Sequence, residues 1–376
     1  MAVTSGGRHL VTAGHDTTIR IWDPQVPPSG REPVQGRVTA LAVAPDGSWM
    51  AVGGQDGSVR IQGTGRASPR TSPVGHLQKV TAMAVASHGG WLVTGSDDAT
   101  IRVWPKRPGV VRRVLADDHE PGARTLVMDP ATNWVVAAVR DGSVVVLDPV
   151  TGRRWQAVAG DDVPVTHLVL ARLGGWLVAA RGDGRLTLAG LAPGGNGGSA
   201  AERALPPLAG PIGALAAASD GSYVAYGGTD GLVRVQALTE ALTAGTVATP
   251  LGDPVDLAGH DSGVVAAAVG PEPRRLVTAS WDGTVRTWWV PDGRSEYVLT
   301  GHDGAVRDVA CPDDGSWLVT VGDKSVRAWS LRDGSPLAAL RVEADLHHVV
   351  TTGDVVIAAG DRGPYFFSLV QPPGLG

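Results

Sequence analysis

The stretch Met83–Trp104, which ends in Ile101-Arg102-Val103-Trp104, aligns without a gap with Met1–Trp22, which ends in Ile19-Arg20-Ile21-Trp22. Related stretches recur about every 40 residues, a period typical of one supersecondary unit copied along a chain. Nine repeats are marked by the residues at the place of Trp104: Trp22, Gln62, Trp104, Leu147, Ala189, Gln236, Trp288, Trp329 and Ser368. The sequence therefore predicts one repeat domain over residues 1–376.

Each repeat has the pattern of four short strands joined by tight turns. In the second repeat, the apolar run Val38–Ala44 precedes Asp46-Gly47-Ser48, and Asp and Gly tolerate the positive φ that hairpin turns need. In the third repeat, Trp91–Thr94 is a second strand, and a second turn at Asp98-Ala99 leads to the third strand. A looser fourth strand follows in most repeats. The predicted fold class is all-β, built from four-stranded antiparallel sheets.

Small apolar residues occupy both faces of these predicted sheets. Neither face of an isolated sheet is suited to water, so the sheets are expected to stack face to face around an axis. Closure of the stack into a ring then buries its two end faces.

These motifs resemble those of the WD-repeat β-propellers, and the resemblance covers nearly the whole chain. It rests on Gly75-His76, Gly259-His260 and Gly301-His302 ahead of the first strand, on the turn Asp, and on the Trp that ends the third strand. The resemblance implies a hydrogen-bonded relay of His, Thr, Asp and Trp inside a blade. The matching residues are His76, Thr94, Asp98, Trp104, His260, Thr278, Asp282, Trp288, His302, Thr320, Asp323 and Trp329. One residue is deleted between Thr320 and Trp329.

Other repeats depart from this pattern. Gln62, Leu147, Ala189 and Gln236 replace the Trp, and the ninth repeat, Val355–Ser368, is barely recognisable. Those blades are expected to rely on apolar packing and to be softer. Nine repeats exceed the seven or eight usual in the family. We expect nine blades in one ring, with eight blades plus a displaced terminal repeat as the alternative.

Charge and composition argue against a nucleic-acid surface. The formal net charge is −5, and the only lysines are Lys79, Lys106 and Lys324. Nucleic-acid binding needs clustered positive charge. Arginine instead recurs at one strand position in six of the nine repeats, which is expected to spread these charges around the ring: Arg20, Arg60, Arg102, Arg234, Arg286 and Arg327.

The sequence also predicts a cytoplasmic protein. Cys311 is the single cysteine, so a disulfide framework within the chain is excluded. No apolar run reaches the length of about 18 residues that a membrane span requires. A membrane partner is therefore not expected.

A search for chemistry in the sequence yields no catalytic or metal-binding set. The adjacent His347 and His348 lie on a predicted strand, where neighbouring side chains point to opposite faces. No Cys/His cluster has zinc spacing, and no Gly-x-Ser-x-Gly elbow is present. We therefore predict no metal, no cofactor and no enzymatic activity. The alternative is a stand-alone ligand-binding or hydrolytic propeller that uses its central channel.

A protein partner is expected at the turns between second and third strands, a face that WD-repeat proteins often use. The residue before the turn Asp is free to vary there. These residues are His15, Gln55, Asp97, Arg140, Gly182, Thr229 and Trp281. Aromatic and Arg side chains often dominate interfaces, so Arg140 and Trp281 are the best contact candidates. The alternative for Trp281 is that it covers its own blade.

A second resemblance concerns the biological setting. Asp303–Arg307, Asp314–Thr320 and Pro250–Pro254 resemble bacterial WD arrays, which often form the C-terminal sensor of STAND-type signalling NTPases. The chain has no phosphate-binding loop of its own, because no lysine follows a glycine. The expectation is a scaffold or sensor for signal transduction, with the possibility that the natural protein extends upstream of Met1.

Overall fold

The computed structural model describes residues 2–3, 10–13, 18–22, 32–33, 38–43, 49–63, 70–71, 75–86, 90–105, 113–114, 123–129, 133–171, 175–191, 202–218, 220–238, 252–270, 272–312, 315–343, 345–352, 355–360 and 363–368. They fall into two compact units. The first lies within Met1–Arg181 and Thr187–Ala204, and the second within Gly182–Leu186, Leu205–Glu240 and Ala248–Gly376. The single domain over residues 1–376 and the two alternatives for its ring stay predictions.

The described part of the first unit holds five four-stranded antiparallel sheets, each with its strands in chain order. The sheets are β1 (Ala2–Val3), β2 (Leu10–Ala13), β3 (Thr18–Trp22) and β4 (Glu32–Pro33); β5 (Val38–Val43), β6 (Trp49–Gly54), β7 (Val59–Gly63) and β8 (Arg70–Thr71); β9 (Val80–Val85), β10 (Trp91–Ser96), β11 (Ile101–Pro105) and β12 (Arg113–Val114); β13 (Ala123–Met128), β14 (Val135–Val139), β15 (Val144–Leu147) and β16 (Arg154–Val158); and β17 (Val165–Ala171), β18 (Trp176–Arg181), β19 (Leu186–Gly190) and β20 (Glu202–Leu205).

The described part of the second unit holds three four-stranded sheets and one three-stranded sheet. They are β21 (Ile212–Ala217), β22 (Tyr223–Gly228), β23 (Val233–Ala237) and β24 (Val255–Leu257); β25 (Val264–Val269), β26 (Arg275–Ser280), β27 (Val285–Trp289) and β28 (Arg294–Leu299); β29 (Val306–Ala310), β30 (Trp317–Gly322), β31 (Ser325–Ser330) and β32 (Pro336–Arg341); and β33 (Leu346–Thr352), β34 (Val355–Gly360) and β35 (Gly363–Ser368). The predicted all-β fold with four-stranded antiparallel sheets is confirmed, and the nine sheets correspond to the nine repeats.

In the third, fifth, sixth and eighth sheets, the second strand is the most buried element. Every residue of β10, β18, β22 and β30 is buried. These strands lie between two partners in their own sheet and are covered on both faces, as continuous apolar runs predict. By contrast, every residue of β32, a fourth strand, is exposed.

A β-bulge recurs near the start of the first strand. The register shifts between Val38 and Ala40, between Val264 and Ala266, and between Val306 and Asp308. A bulge bends its strand and increases the local twist. Its recurrence indicates that the first strand begins with the same bend in several sheets.

The core lies between successive sheets. In the first unit, Trp104 of the third sheet packs with Val59 and Ile61 of the second. In the second unit, Trp288 of the seventh sheet packs with Val235 and Leu257 of the sixth. Trp329 takes the equivalent place between the seventh and eighth sheets, within a cluster that includes Val285 and Val306. Because these indoles are 1%, 1% and 3% exposed, each contributes most of its surface to an inter-sheet core.

Candidate interaction face and its supporting hydrogen-bond relay

The turn after β10 covers a buried chain of four side chains. His76 Nε2 and Trp104 Nε1 each lie 2.7 Å from the hydroxyl oxygen of Thr94. His76 Nδ1 lies 3.1 Å from both carboxylate oxygens of Asp98. Thr94 is fully buried, and His76 is 5% exposed. The structure thus brings together the four residues that the resemblance assigned to a relay in the third repeat.

Donor and acceptor chemistry sets the direction of this chain. An indole Nε1 can only donate, so the Thr94 hydroxyl accepts from Trp104 and is left to donate to His76 Nε2. Since Nε2 must then carry no proton, the ring proton lies on Nδ1 and is donated to Asp98. His76 is therefore neutral and is held in one tautomer by its neighbours.

The Asp98 carboxylate also holds the backbone of two connections. It accepts hydrogen bonds from Leu77 N at 2.8 Å, Thr100 N at 3.0 Å and the Thr100 hydroxyl at 2.7 Å. Burial alone raises the pKa of Asp98, but the hydrogen bonds from Thr100 and Leu77 outweigh burial and lower that pKa to about 2. Asp98 therefore ties the connection before β9 to the turn after β10.

The seventh repeat reproduces this arrangement. His260 Nε2 and Trp288 Nε1 each lie 2.8 Å from the Thr278 hydroxyl oxygen. His260 Nδ1 lies 2.9 Å from Asp282, which also accepts from Asp261 N at 3.0 Å. The two relays agree in every step, which indicates a recurring device that fixes the turn.

A fifth residue of the relay was missed by the sequence reasoning. The hydroxyl of Thr100 donates to Asp98, and the hydroxyl of Thr284 donates to Asp282 at 2.7 Å. The signal was available, because in both repeats Thr stands two residues after the turn Asp.

The eighth repeat corrects one of the predicted residues. His302 Nε2 and Trp329 Nε1 lie 2.8 Å and 3.0 Å from Thr320 Oγ1, as in the other relays. His302 Nδ1, however, lies 2.8 Å from Ser325 Oγ, and no hydrogen bond joins it to Asp323 among the described residues. The assignment of Asp323 to the relay is wrong.

The deleted residue explains the change. Gly322 pairs with Ser325, which leaves Asp323 and Lys324 as a two-residue turn with φ of +43° and +59°. Positive φ at both central residues is the pattern of a type I′ hairpin turn. Asp323 is the first central residue of that turn, and its carboxylate lies near Gly304.

Burial keeps the relay histidines neutral. It lowers the pKa of His76 and His260 against the opposing effect of their Asp partners. For His302, burial together with the nearby positive charge of Arg327 lowers the pKa to about 4. The absence of a carboxylate partner at His302 accounts for its larger shift.

The fifth sheet carries a different device, a buried arginine. Arg181, which is 3% exposed, ends β18. Its guanidinium donates to Ala159 O at 2.6 Å and to Gly142 O at 2.8 Å, and it lies 2.6 Å from an Asp161 carboxylate oxygen. Arg181 thereby ties the fourth sheet to the connection that leads into the fifth. The sequence reasoning missed it, because a buried charge contradicts the apolar pattern of a second strand.

In the sixth sheet, Tyr226 takes the position of the relay Thr. It pairs with Arg234, just as Thr94 pairs with Arg102. Its hydroxyl donates to Pro206 O at 2.8 Å, and its ring is fully buried. The sixth sheet therefore has a buried Tyr where the relay sheets have a buried Thr.

The predicted contact residues lie at the turn ends of their sheets. Gln55 and Thr229 are exposed. Arg140, 47% exposed at its side chain, forms an ion pair with Asp97, which joins the turns of the third and fourth sheets. His15 lies outside the described residues.

Trp281 is a large exposed aromatic at the turn between the second and third strands of the seventh sheet. It is 53% exposed, and its backbone N donates to Gly263 O at 3.0 Å. A Cβ at Gly263 would lie 3.0 Å from Trp281 Cε3 and 3.3 Å from Thr229 Cα. The indole therefore lies against Gly263 and is still about half exposed to solvent.

Two further features of the described residues bear on chemistry. No group of three or more His, Cys, Asp or Glu side chains there is arranged to hold a metal ion. Within the same residues, no helix has the length and hydropathy of a membrane span.

Comparison with known proteins gives matches over parts of the chain and over its fold. The family model "WD domain, G-beta repeat" matches residues 1–23, 32–61, 68–105, 254–288 and 293–330. The chain is 33% identical over 92 residues to the small ribosomal subunit protein RACK1y of Oryza sativa subsp. japonica. The aligned segment covers 24% of this chain and 27% of that protein. It is 40% identical over 68 residues to apoptotic protease-activating factor 1 of Rattus norvegicus. That aligned segment covers 18% of this chain and 5% of that protein. The chain thus spans a minor part of the length of these relatives.

Two solved structures resemble the fold over most of the chain. The computationally designed Ika8 protein gives a TM-score of 0.65 at 24% identity, covering 89% of this chain and 96% of that one. Sqt1 of Chaetomium thermophilum, bound to the N-terminus of the ribosomal protein L10, gives a TM-score of 0.64 at 20% identity, covering 88% and 96%. At these identities the likeness shows the fold alone.

Proposed function

We propose that this chain, which carries WD40 repeats in the five matched segments, is a non-catalytic cytoplasmic scaffold or sensor for protein–protein contact. The observation that carries the proposal is the relay beneath the turn face. Asp98 and Asp282 accept hydrogen bonds from the backbone of the turns. The residues just before them are partly exposed at Asp97 and exposed at Trp281. A fixed backbone under variable side chains lowers the ordering cost of binding.

The similar proteins support a polypeptide partner. The Sqt1 structure contains the N-terminus of a ribosomal protein, and the name of RACK1y places it in a ribosomal subunit. By analogy, we expect a protein segment at the turn face of this chain.

We further propose that the chain is the sensing region of a bacterial signalling protein. Support comes from the likeness of Asp303–Arg307 and Asp314–Thr320 to bacterial WD arrays, and from the match to a protein named as a protease activator. The intact mass of the native protein tests this. A mass well above 38.6 kDa supports the proposal that the chain is the sensing region of a larger signalling enzyme. A mass equal to 38.6 kDa contradicts that proposal.

Site-directed photo-crosslinking tests the scaffold proposal. A benzophenone side chain is placed at Gln55 or Thr229 on the turn face, and at Val150, which is 72% exposed in the turn between β15 and β16. That turn lies at the opposite end of its sheet, which makes Val150 the matched control. We expect discrete protein adducts in the native cells from the turn-face positions only. Equal adducts from Val150, or none from the turn face, would contradict the proposal.

A further inference from the structure

We infer that Trp281, with the carboxylates of Asp230 and Asp261, binds an arginine or lysine side chain of a basic peptide segment. The inference rests on the proposed function, because it names the chemistry of the partner at the same face. It adds a charge requirement that the fold alone does not imply.

Three backbone segments of the second unit meet at this place. A Cβ at Gly231 would lie 2.6 Å from His260 O and 2.9 Å from Ser262 O, so the turn that holds Asp230 touches the connection that holds Asp261. The same connection ends at Gly263, whose close approach to Trp281 completes the cluster. The backbone segments that carry Trp281, Asp230 and Asp261 therefore lie next to one another, and these three residues are named here the Trp281 patch.

The patch is accessible and its backbone is fixed. Trp281 is 53% exposed, and Asp230 and Asp261 are both exposed. The Asp261 backbone N is held by Asp282 at 3.0 Å, and Asp230 accepts from Leu232 N at 3.1 Å. A ligand would therefore meet groups whose backbone is already in place.

The negative charge of the patch comes from the carboxylates of Asp230 and Asp261. Within the second unit, the exposed carboxylate of Asp303 lies 3.0 Å from Arg341. Among the described residues, no ion pair reaches Asp230 or Asp261. The Trp281 patch therefore combines an exposed indole with two exposed carboxylates that have no ion-pair partner among the described residues.

This combination suits a cationic side chain. A guanidinium or ammonium is attracted to the face of an indole, which binds cations better than other aromatic rings. Neighbouring carboxylates add charge-assisted hydrogen bonds, and Arg supplies several donors in one plane. An acidic partner would be repelled, and an apolar one would leave the carboxylates desolvated without a counter-charge.

The test is fluorescence anisotropy of a short fluorescein-labelled peptide of alternating Arg and Gly, titrated with the full chain. The same peptide with Glu in place of Arg is the ligand control. The variants are Trp281→Ala, Trp281→Phe and Asp261→Asn. The matched control is Asp292→Asn, an exposed carboxylate at the other end of the seventh sheet. Melting temperatures of all variants are measured in parallel.

We expect the Arg peptide to bind, more weakly at higher salt, and the Glu peptide not to bind. Trp281→Ala should weaken binding about fivefold or more, with Trp281→Phe in between. Asp261→Asn should weaken it about threefold, as loss of one charge-assisted contact predicts. Asp292→Asn should bind like the native chain.

The inference is wrong if the native chain does not bind the Arg peptide, or if Trp281→Ala binds it equally well. A lower melting temperature with unchanged affinity would mean that Trp281 only covers its own blade. If crosslinked adducts still form at Thr229 in either case, the scaffold proposal stands and the partner is not basic.

Discussion

Trp288 joins two kinds of stabilisation in one side chain. It fills the space between the sixth and seventh sheets and donates to the Thr278 hydroxyl at 2.8 Å. Trp288→Ala should lower the free energy of unfolding by about 3–5 kcal/mol, through lost packing and the disrupted relay. Urea denaturation measures this loss.

Trp289, the next residue, is the control for that change. It is partly exposed and lies outside the relay. Trp289→Ala should cost well under half as much as Trp288→Ala. Similar losses in the two variants would contradict the structural role of the relay.

The neutral relay histidines give the protein a defined response to acid. In the unfolded chain His302 has the ordinary pKa of 6.5, and in the folded chain its pKa is about 4. The unfolded state therefore binds a proton in this range that the folded state does not. The contribution of His302 is complete above pH 6.5 and is lost as the pH falls toward 4, by at most about 1.4 kcal/mol per pH unit.

Urea midpoints at several pH values between 7 and 4 test this response. His302→Gln should give a shallower loss of stability with acid than the native chain. Asp98 acts in a separate window, because its stabilising ionisation is lost only as the pH falls from 3.8 toward about 2. An unchanged slope in His302→Gln would show that the histidine does not set the response.

At the scale of single elements, the turn between β30 and β31 has an unfavourable residue. Lys324 adopts a φ of +59°, a region that L residues other than Asn and Asp rarely enter. Lys324→Gly creates the Asp-Gly pair that type I′ turns prefer and should raise stability by about 0.5–1 kcal/mol. Thermal unfolding measures the gain.

The matched change in the seventh sheet has the opposite sign. Gly283 has a φ of +82°, so Gly283→Ala should destabilise by about 1 kcal/mol. If both variants shift stability in the same direction, positive φ is not the controlling factor in these turns.

Arg181 shows how one side chain can join two sheets. Arg181→Met removes the donors to the carbonyl oxygens of Gly142 and Ala159 and removes the ion pair with Asp161. The expected loss is about 3 kcal/mol in urea denaturation, since breaking a buried charged network strands its acceptors. Arg185→Met breaks an ion pair with Asp183 whose side chains are 51% and 40% exposed, and should cost less than about 1 kcal/mol. Equal effects would contradict the bridging role of Arg181.

At the scale of the whole molecule, the repeat period predicted the sheets well. The residue predicted to end the third strand of the third repeat, Trp104, lies within β11, and Trp288 lies within β27. This worked because a regular period combines turn chemistry, strand length and apolar pattern in one signal. How the two compact units are joined has no comparable local signal.

The relay was predictable only where all its residue types were present. His76 and His260 are each followed at matching distances by Thr, Asp and Trp, and the structure places those residues together. In the eighth repeat one deletion changed the turn type. The order of residue types in the sequence does not reveal that Ser325, and not Asp323, is the hydrogen-bond partner of His302 Nδ1. Arg181 was missed for a related reason, since its carbonyl partners are set by three-dimensional packing.

The relay separates the residue that holds a turn from the residue that the turn displays. Asp282 and Thr284 secure the backbone from beneath, and Trp281 is attached to it without taking part in that chain of bonds. The residue at position 281 can therefore be substituted while the relay beneath it stays intact. A lineage that inherits such a turn can acquire new recognition by a single codon change, without first evolving a new fold.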